Sequence, residues 1–160
     1  MIRPARPGDV DAIHRLVREL AEYERSLDQV RATAADLSAA LFCAEPALFA
    51  HVAESEGGVA GFALWFVNFS TWTGRHGIYL EDLYVTPRLR RAGVGAALMA
   101  ELARVCVERG YTRLEWAALD WNEPALAFYR SLGAVTRGDW VLHRLSGEAL
   151  EMLARCGVRR

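Results

Sequence analysis

The chain has 160 residues, 52% of them hydrophobic, and a formal net charge of -1. That is enough apolar content for a buried core, and too little charge to draw the chain to nucleic acid or to an anionic membrane. All 19 basic residues are arginine, which excludes lysine Schiff-base chemistry and the Gly-Lys-Ser/Thr phosphate loop.

Ile2 to Arg6 predicts a first strand. Asp9 can cap a helix in which Ile13, Leu16, Val17, Leu20 and Tyr23 recur at helical spacing. Thr33 opens a second helix, with Asp36 three positions on as a capping box. Leu48 to Glu54 and Val59 to Phe69 read as strands joined at Glu56-Gly57-Gly58, a predicted hairpin. Gly77 to Val85 is the next strand, and a helix runs from about Gly93 to Arg109, ended by Gly110. Arg113 to Ala118 predicts a strand, Glu123 to Leu132 a helix stopped by Gly133, Trp140 to Leu145 a last strand, and Gly147 to Ala154 a short helix. Antiparallel strands followed by a β-α-β unit predict an α/β fold: a mixed sheet with helices on both faces, in a single domain over residues 1–160.

Cys43, Cys106 and Cys156 are odd in number and widely spaced, and His14, His51, His76 and His143 are equally scattered. Neither a disulfide framework nor a metal site is expected. Met1 leads straight into polar residues and no apolar run reaches spanning length, so the expectation is a soluble, cytoplasmic protein.

The most informative stretch is Ile78 to Leu98. An apolar strand carries adjacent acids, Glu81 and Asp82. A basic turn follows, then Gly93-Val94-Gly95 at the start of a helix. Such a turn bares backbone N–H groups at the positive end of a helix dipole, which suits a pyrophosphate. A dinucleotide-binding reading, and with it an oxidoreductase, is disfavoured. Leu98 is too large for the third small position, and Thr86 to Arg91 separate strand from glycines. A ligand-free glycine turn also remains open. Arg90 and Arg91 weigh against it, because two guanidinium groups beside a positive helix end repel one another unless an anion lies between them.

Arg90-Arg91-Ala92-Gly93-Val94-Gly95 resembles the Arg/Gln-x-x-Gly-x-Gly/Ala motif of GCN5-related N-acetyltransferases. Trp121-Asn122-Glu123-Pro124-Ala125, then Ala127-Phe128-Tyr129 and Leu132-Gly133-Ala134, resemble the second motif of that family. Ala21-Glu22-Tyr23-Glu24, Ser70 to Arg75, Tyr79 to Asp82 and Leu119 to Asn122 narrow the likeness to its diamine (spermidine/spermine) and thialysine group.

This resemblance implies a mostly antiparallel sheet splayed at the cofactor site, and acetyl-CoA as co-substrate. Leu83, Tyr84 and Val85 would run along the pantetheine arm, with Leu83 and Val85 backbone groups pairing to it. Arg90, Arg91, Ala92, Gly93, Val94, Gly95 and Ala96 would hold the pyrophosphate. Asn122, Ala125, Phe128 and Tyr129 would flank the far side. It also implies direct attack by the amine without an acyl-enzyme, Tyr129 as proton donor to the departing sulfur, and a homodimer.

Side chains alternate along a strand, so Glu81 is expected to face opposite to Asp82, with Tyr79, Leu83 and Val85 on its side. One reading pairs each acid with an arginine, as buried charges usually are. The other follows from the chemistry. A primary amine has a free pKa near about 10.4 and must be bound as a cation, then lose a proton. A carboxylate serves both needs. The resemblance gives the base role to Glu81. Tyr23, Glu24, Trp72, Asp82 and Trp140, with Glu81, compose a predicted acidic pocket with aromatic walls for an ammonium ion. Packing roles for the aromatics stay open.

Ser70 stands where the polyamine enzymes of the group carry an acid, which favours a short lysine-like amine or small diamine over spermine. The Gly133 to Trp140 connection is shorter than in those enzymes, and Asp139 is the acid available there. A non-catalytic CoA-binding module is the remaining alternative, disfavoured by retention of both Glu81 and Tyr129.

Overall fold

Alternation along three consecutive strands organises the molecule. In the computed structural model, which describes residues 1–156, the strands β1 (Ile2–Pro4), β2 (Phe49–Ser55), β3 (Gly58–Ser70), β4 (Arg75–Val85) and β5 (Leu114–Trp116) form one sheet in chain order. β1 to β4 pair antiparallel and β5 joins β4 in parallel, giving the mixed sheet that the element order predicts. Two compact units divide the chain, one from Met1 to Leu119 and one from Asp120 onward.

In the first unit, α1 (Val10–Tyr23) and α2 (Ala34–Phe42) bring Ile13, Leu16 and Leu41 against Ala50, Val52, Phe62, Leu64 and Tyr84. His51 alternates with Ala50 and Val52, and its ring lies beside Glu101 of α3 (Val94–Glu108). α3 therefore covers the opposite face, where Leu98, Leu102 and Cys106 are buried. Helices on both faces explain why the middle of β3, from Ala60 to Trp65, is buried at every position instead of alternating.

The helix ends follow local chemistry. Thr33 and Asp36 form the predicted capping box, Thr33 Oγ1 accepting from Asp36 N–H at 3.2 Å and Asp36 accepting from Thr33 N–H at 2.8 Å. α1 ends with Arg25 in the left-handed region (φ 58°), Ser26 N–H reaching back to Ala21 O at 2.8 Å. Gly110 ends α3 in the same way, at φ 66°.

Three expectations need correction. Asp9 does not cap α1. Its carboxylate accepts from both ends of the Arg3 guanidinium at 2.7 and 3.0 Å and from Arg6 N–H at 2.8 Å, so a bidentate ion pair outcompetes a helix cap. Residues 140–145 are not a strand, because no ladder partner meets them among the described residues. The predicted strand at Arg113 to Ala118 shortens to Leu114–Trp116. β4 and β5 meet closely at Gly77, where a Cβ would stand 2.9 Å from Arg113 O and 2.7 Å from Asn68 Oδ1. That crowding is a packing reason for glycine there.

The second unit holds α4 (Glu123–Ser131) and α5 (Gly147–Cys156). Asn122 Oδ1 accepts from Ala125 N–H at 3.3 Å, Pro124 sits in the first turn, and Gly133 (φ 85°) follows the end of α4.

Inside the sheet, Trp65 Nε1–H donates to His51 Nδ1 at 3.1 Å. An indole only donates, so the proton of the neutral ring rests on Nε2, 3.7 Å from Glu101 Oε1. Burial holds the imidazole below its usual 6.5; Glu101 opposes this, and Arg104 and Arg109 reinforce it. The folded chain thus binds fewer protons at His51 than the unfolded chain. This contribution to stability is complete above about pH 6.5 and is lost as pH falls below it. Between about pH 7.5 and about pH 5, melting temperature should fall more steeply for the native protein than for His51→Gln, whose amide oxygen still accepts from Trp65. Equal slopes in a calorimetric pH series would show that His51 does not titrate on unfolding.

Candidate functional site

The ladder between β4 and β5 runs only from Ile78↔Leu114 to Leu80↔Trp116. β4 continues to Val85, so among the described residues Glu81 to Val85 pair with β3 on one side and with no strand on the other. This is the splay that the resemblance implies. On the β3 side, Leu64 pairs with Asp82 and Trp65 with Leu80, which leaves Glu81 as the extra residue of a β-bulge. The strict alternation expected through Glu81 and Asp82 is therefore broken: Leu80 and Asp82 pair with adjacent residues of β3 and so face opposite sides of the sheet.

Among the described residues neither acid has an arginine partner, which rules out the paired-ion reading for both. Asp82 is instead pushed up to about 6, first by burial and then by repulsion from Glu81 and Glu24. Burial also raises Glu24, the residue that follows α1. The fold thus brings Glu24, Glu81 and Asp82 into one negative field. An ammonium ion is the group such a field is short of.

The other predicted amine-side residues behave differently. Tyr23 joins Glu24 at the end of α1, but its ring carries the Arg90 guanidinium, 5.0 Å from the centroid. Trp72 is 87% exposed in the turn between β3 and β4. Six residues of β4 separate Arg75 beside that turn from Asp82, about 20 Å at the usual rise per residue. Within the chain Trp72 therefore stands away from the acids. Trp140 lies in the second unit, largely exposed.

At the loop, Thr86 N–H donates to Ala60 O at 2.9 Å, and a 3-10 turn spans Pro87–Leu89. Arg91 (φ 63°) and Gly93 (φ 78°) are both left-handed. The first helical N–H to find an acceptor is that of Ala97, on Gly93 O at 2.9 Å. Among the described residues the N–H groups of Arg91 to Ala96 meet no acceptor, and, its chain neighbours aside, no heavy atom lies within 4 Å of where a Cβ on Gly93 would project. A spare run of amides beside open space at a helix N-terminus fits a diphosphate.

Arg90 also has local partners: its Nε donates to Val85 O at 3.1 Å, and its Cζ lies 5.3 Å from the Tyr84 centroid. Reasoning from the sequence missed Glu19, whose charge, after burial, helps hold the Tyr84 phenol above its usual value. The available signal was its place four residues before Tyr23 on α1.

Of the far-side residues, Asn122 caps α4 as described, and Ala125, Phe128 and Tyr129 lie on that helix, with the Phe128 and Tyr129 rings 5.2 Å apart. A cleft of about 320 Å³ between the end of α2 and α3, lined among others by Phe49, His51, Trp65 and Arg109, contains none of these residues. Among the described residues no three metal-ligating side chains gather, and no helix is long and apolar enough to cross a membrane.

Loop, splay and acid cluster together describe an acyl-CoA-dependent transferase acting at nitrogen. The acetyltransferase (GNAT) family model matches residues 11–134, and the chain belongs to that family. It is an N-acetyltransferase, and the family generally uses acetyl-CoA. The thialysine N-epsilon-acetyltransferase of Bos taurus is 41% identical over 96% of both chains. The L-ornithine N5-acetyltransferase of Arabidopsis thaliana is 29% identical, over 98% of this chain and 89% of its own. Among solved structures, an integron cassette protein from the mobile metagenome of V. cholerae superposes with a TM-score of 0.80 at 27% identity, covering 97% of each chain.

The raised Asp82 pKa carries a stability cost. The folded chain keeps a proton on Asp82 between about 4 and about 6 that the unfolded chain has lost, so the penalty grows with pH through that window and is full above it. Asp82→Asn should therefore raise the melting temperature at about pH 8, with a gain that shrinks as pH falls toward 4. A pH-independent change in calorimetry would mean that Asp82 is not the strained group.

Proposed function

We propose that this chain moves the acetyl group of acetyl-CoA to a primary amine of a small molecule, either a lysine-like amino acid such as thialysine or a small diamine. The observation that carries this is a half-buried Asp82 placed with Glu24 and Glu81 and without a cation partner. An ammonium ion supplies the missing charge, and carboxylates there lower the cost of burying it. The identities to the thialysine and ornithine enzymes point the same way.

In this reading the spare amides of Arg91 to Ala96 hold the diphosphate. The open edge of Leu83 to Val85 pairs with the pantetheine arm, leaving the thioester near the acids. The amine enters as a cation. Glu81, exposed on its bulge, takes the proton directly or through a water. The neutral amine attacks the thioester carbonyl, and no residue is acylated. Tyr129 returns a proton to the departing thiolate, a role that rests on its motif Ala127-Phe128-Tyr129.

Absence of an acid at Ser70 favours short amines over spermine. Assays of thiol release with thialysine, lysine, ornithine, a short diamine and spermine should rank spermine last. No thiol release with any amine would leave a CoA-binding module, and preference for spermine would reassign the substrate. Tyr129→Phe should lower turnover by about tenfold to ten-thousandfold. An unchanged rate would leave Tyr129 as a packing residue.

We further propose a homodimer in which the exposed turn at Trp72 reaches the acid cluster of the partner protomer. The separation of about 20 Å within one protomer supports this arrangement. Mixing inactive Trp72→Ala with inactive Glu81→Gln should then restore part of the activity, because a mixed dimer holds one complete site. Two singly defective preparations that stay inactive on mixing, or a monomer by sedimentation, would overturn it.

A further inference from the structure

Arg90 opens the loop motif, and its charge suggests a phosphate ligand. Its surroundings in the fold suggest a second task. The guanidinium carbon lies over two rings, 5.0 Å from the Tyr23 centroid and 5.3 Å from the Tyr84 centroid, and Nε donates to Val85 O at 3.1 Å. Tyr84 also feels the charge of Glu19 on α1. One planar cation thus joins the last turn of α1, the end of β4 and the loop that follows it. The residue after Tyr23 is Glu24, whose charge Asp82 feels.

We propose that Arg90 is a positioning residue that couples the cofactor loop to the acid-bearing end of α1, so that filling the loop and seating the amine assist one another. The inference rests on the acetyltransferase reading above. Its physical basis is geometric. A guanidinium has two flat faces and can stack on two rings while its edge donates, whereas an ammonium cannot. Arg91, the next residue, holds a left-handed backbone that a non-glycine residue adopts only when its neighbours fix it. The clamp at Arg90 is such a constraint. Movement of the loop thereby moves the support under Tyr23 and Glu24, and the coupling is reciprocal by linkage.

The test begins with the native protein, whose failure to release thiol with any amine would sink the acetyltransferase reading itself. Given that activity, Arg90→Lys keeps a positive charge for the diphosphate and loses the stack. At saturating acetyl-CoA its KM for the amine should rise about fivefold to thirtyfold, with kcat within about threefold. Tyr23→Leu should do the same and Tyr23→Phe, which keeps the ring, should not. The double variant Arg90→Lys/Tyr23→Leu should be no worse than the worse single change, since both remove one contact.

Calorimetry should show CoA binding more tightly in the presence of the amine for the native chain, and equally with or without it for Tyr23→Leu. An Arg90→Lys enzyme with raised KM for acetyl-CoA and unchanged KM for the amine would overturn the proposal, as would additive single effects. Should Arg90→Lys melt early, the Tyr23 variants carry the test alone: an unchanged amine KM in Tyr23→Leu overturns it.

Discussion

The site depends on a carboxylate that the fold leaves uncompensated. Asp82 is half-buried on β4, repelled by Glu81 and Glu24, and raised to about 6, so near neutral pH it is mostly ionised at a cost. A chain with 19 arginines has ample means to neutralise one aspartate. It does so at Asp9, where Arg3 docks with both nitrogens. The contrast is informative: the same pairing is used where an acid is structural and withheld where three acids converge. A buried charge kept without a partner is a place prepared for one.

The backbone makes that convergence possible. β5 stops pairing at Trp116, which bares one edge of β4 from Glu81 to Val85. The bulge at Glu81 puts Leu80 and Asp82 on opposite faces of the sheet, against simple alternation. One strand thus offers hydrogen-bonding groups along its open edge and carboxylates beside it. The turn that follows presents spare amides. In the proposed reading cofactor grip and amine grip arise from a single run of chain, and the end of α1 adds the third acid.

Much of this was legible in the sequence, and the misses share a cause. The hairpin at Glu56 to Gly58, the Thr33–Asp36 box, the Gly110 stop and the loop glycines are written in residues a few positions apart, where local chemistry decides. Asp9, the bulge at Glu81 and the company of Arg90 are decided by residues distant in sequence. Arg3 captures Asp9 across six residues. The bulge follows from how β3 registers on β4. Arg90 meets Tyr23 only because α1 packs over the sheet. The strand expected at 140–145 fails for a related reason: periodicity describes what a segment tends to do, and a strand also needs a neighbour.

Arginine in place of lysine bears on the site in a final way. A guanidinium stays protonated at any pH at which the protein folds, and it stacks. Arg90 can therefore stand beside a diphosphate, over two tyrosines and against a backbone carbonyl without changing charge state. A lysine in the same field could lose its proton, and as a primary amine it would belong to the chemical class that the site is proposed to acetylate. With no lysine in the chain, no side-chain amine of the protein competes for the acids at Glu24, Glu81 and Asp82. Their negative field is left to an amine that arrives from solution.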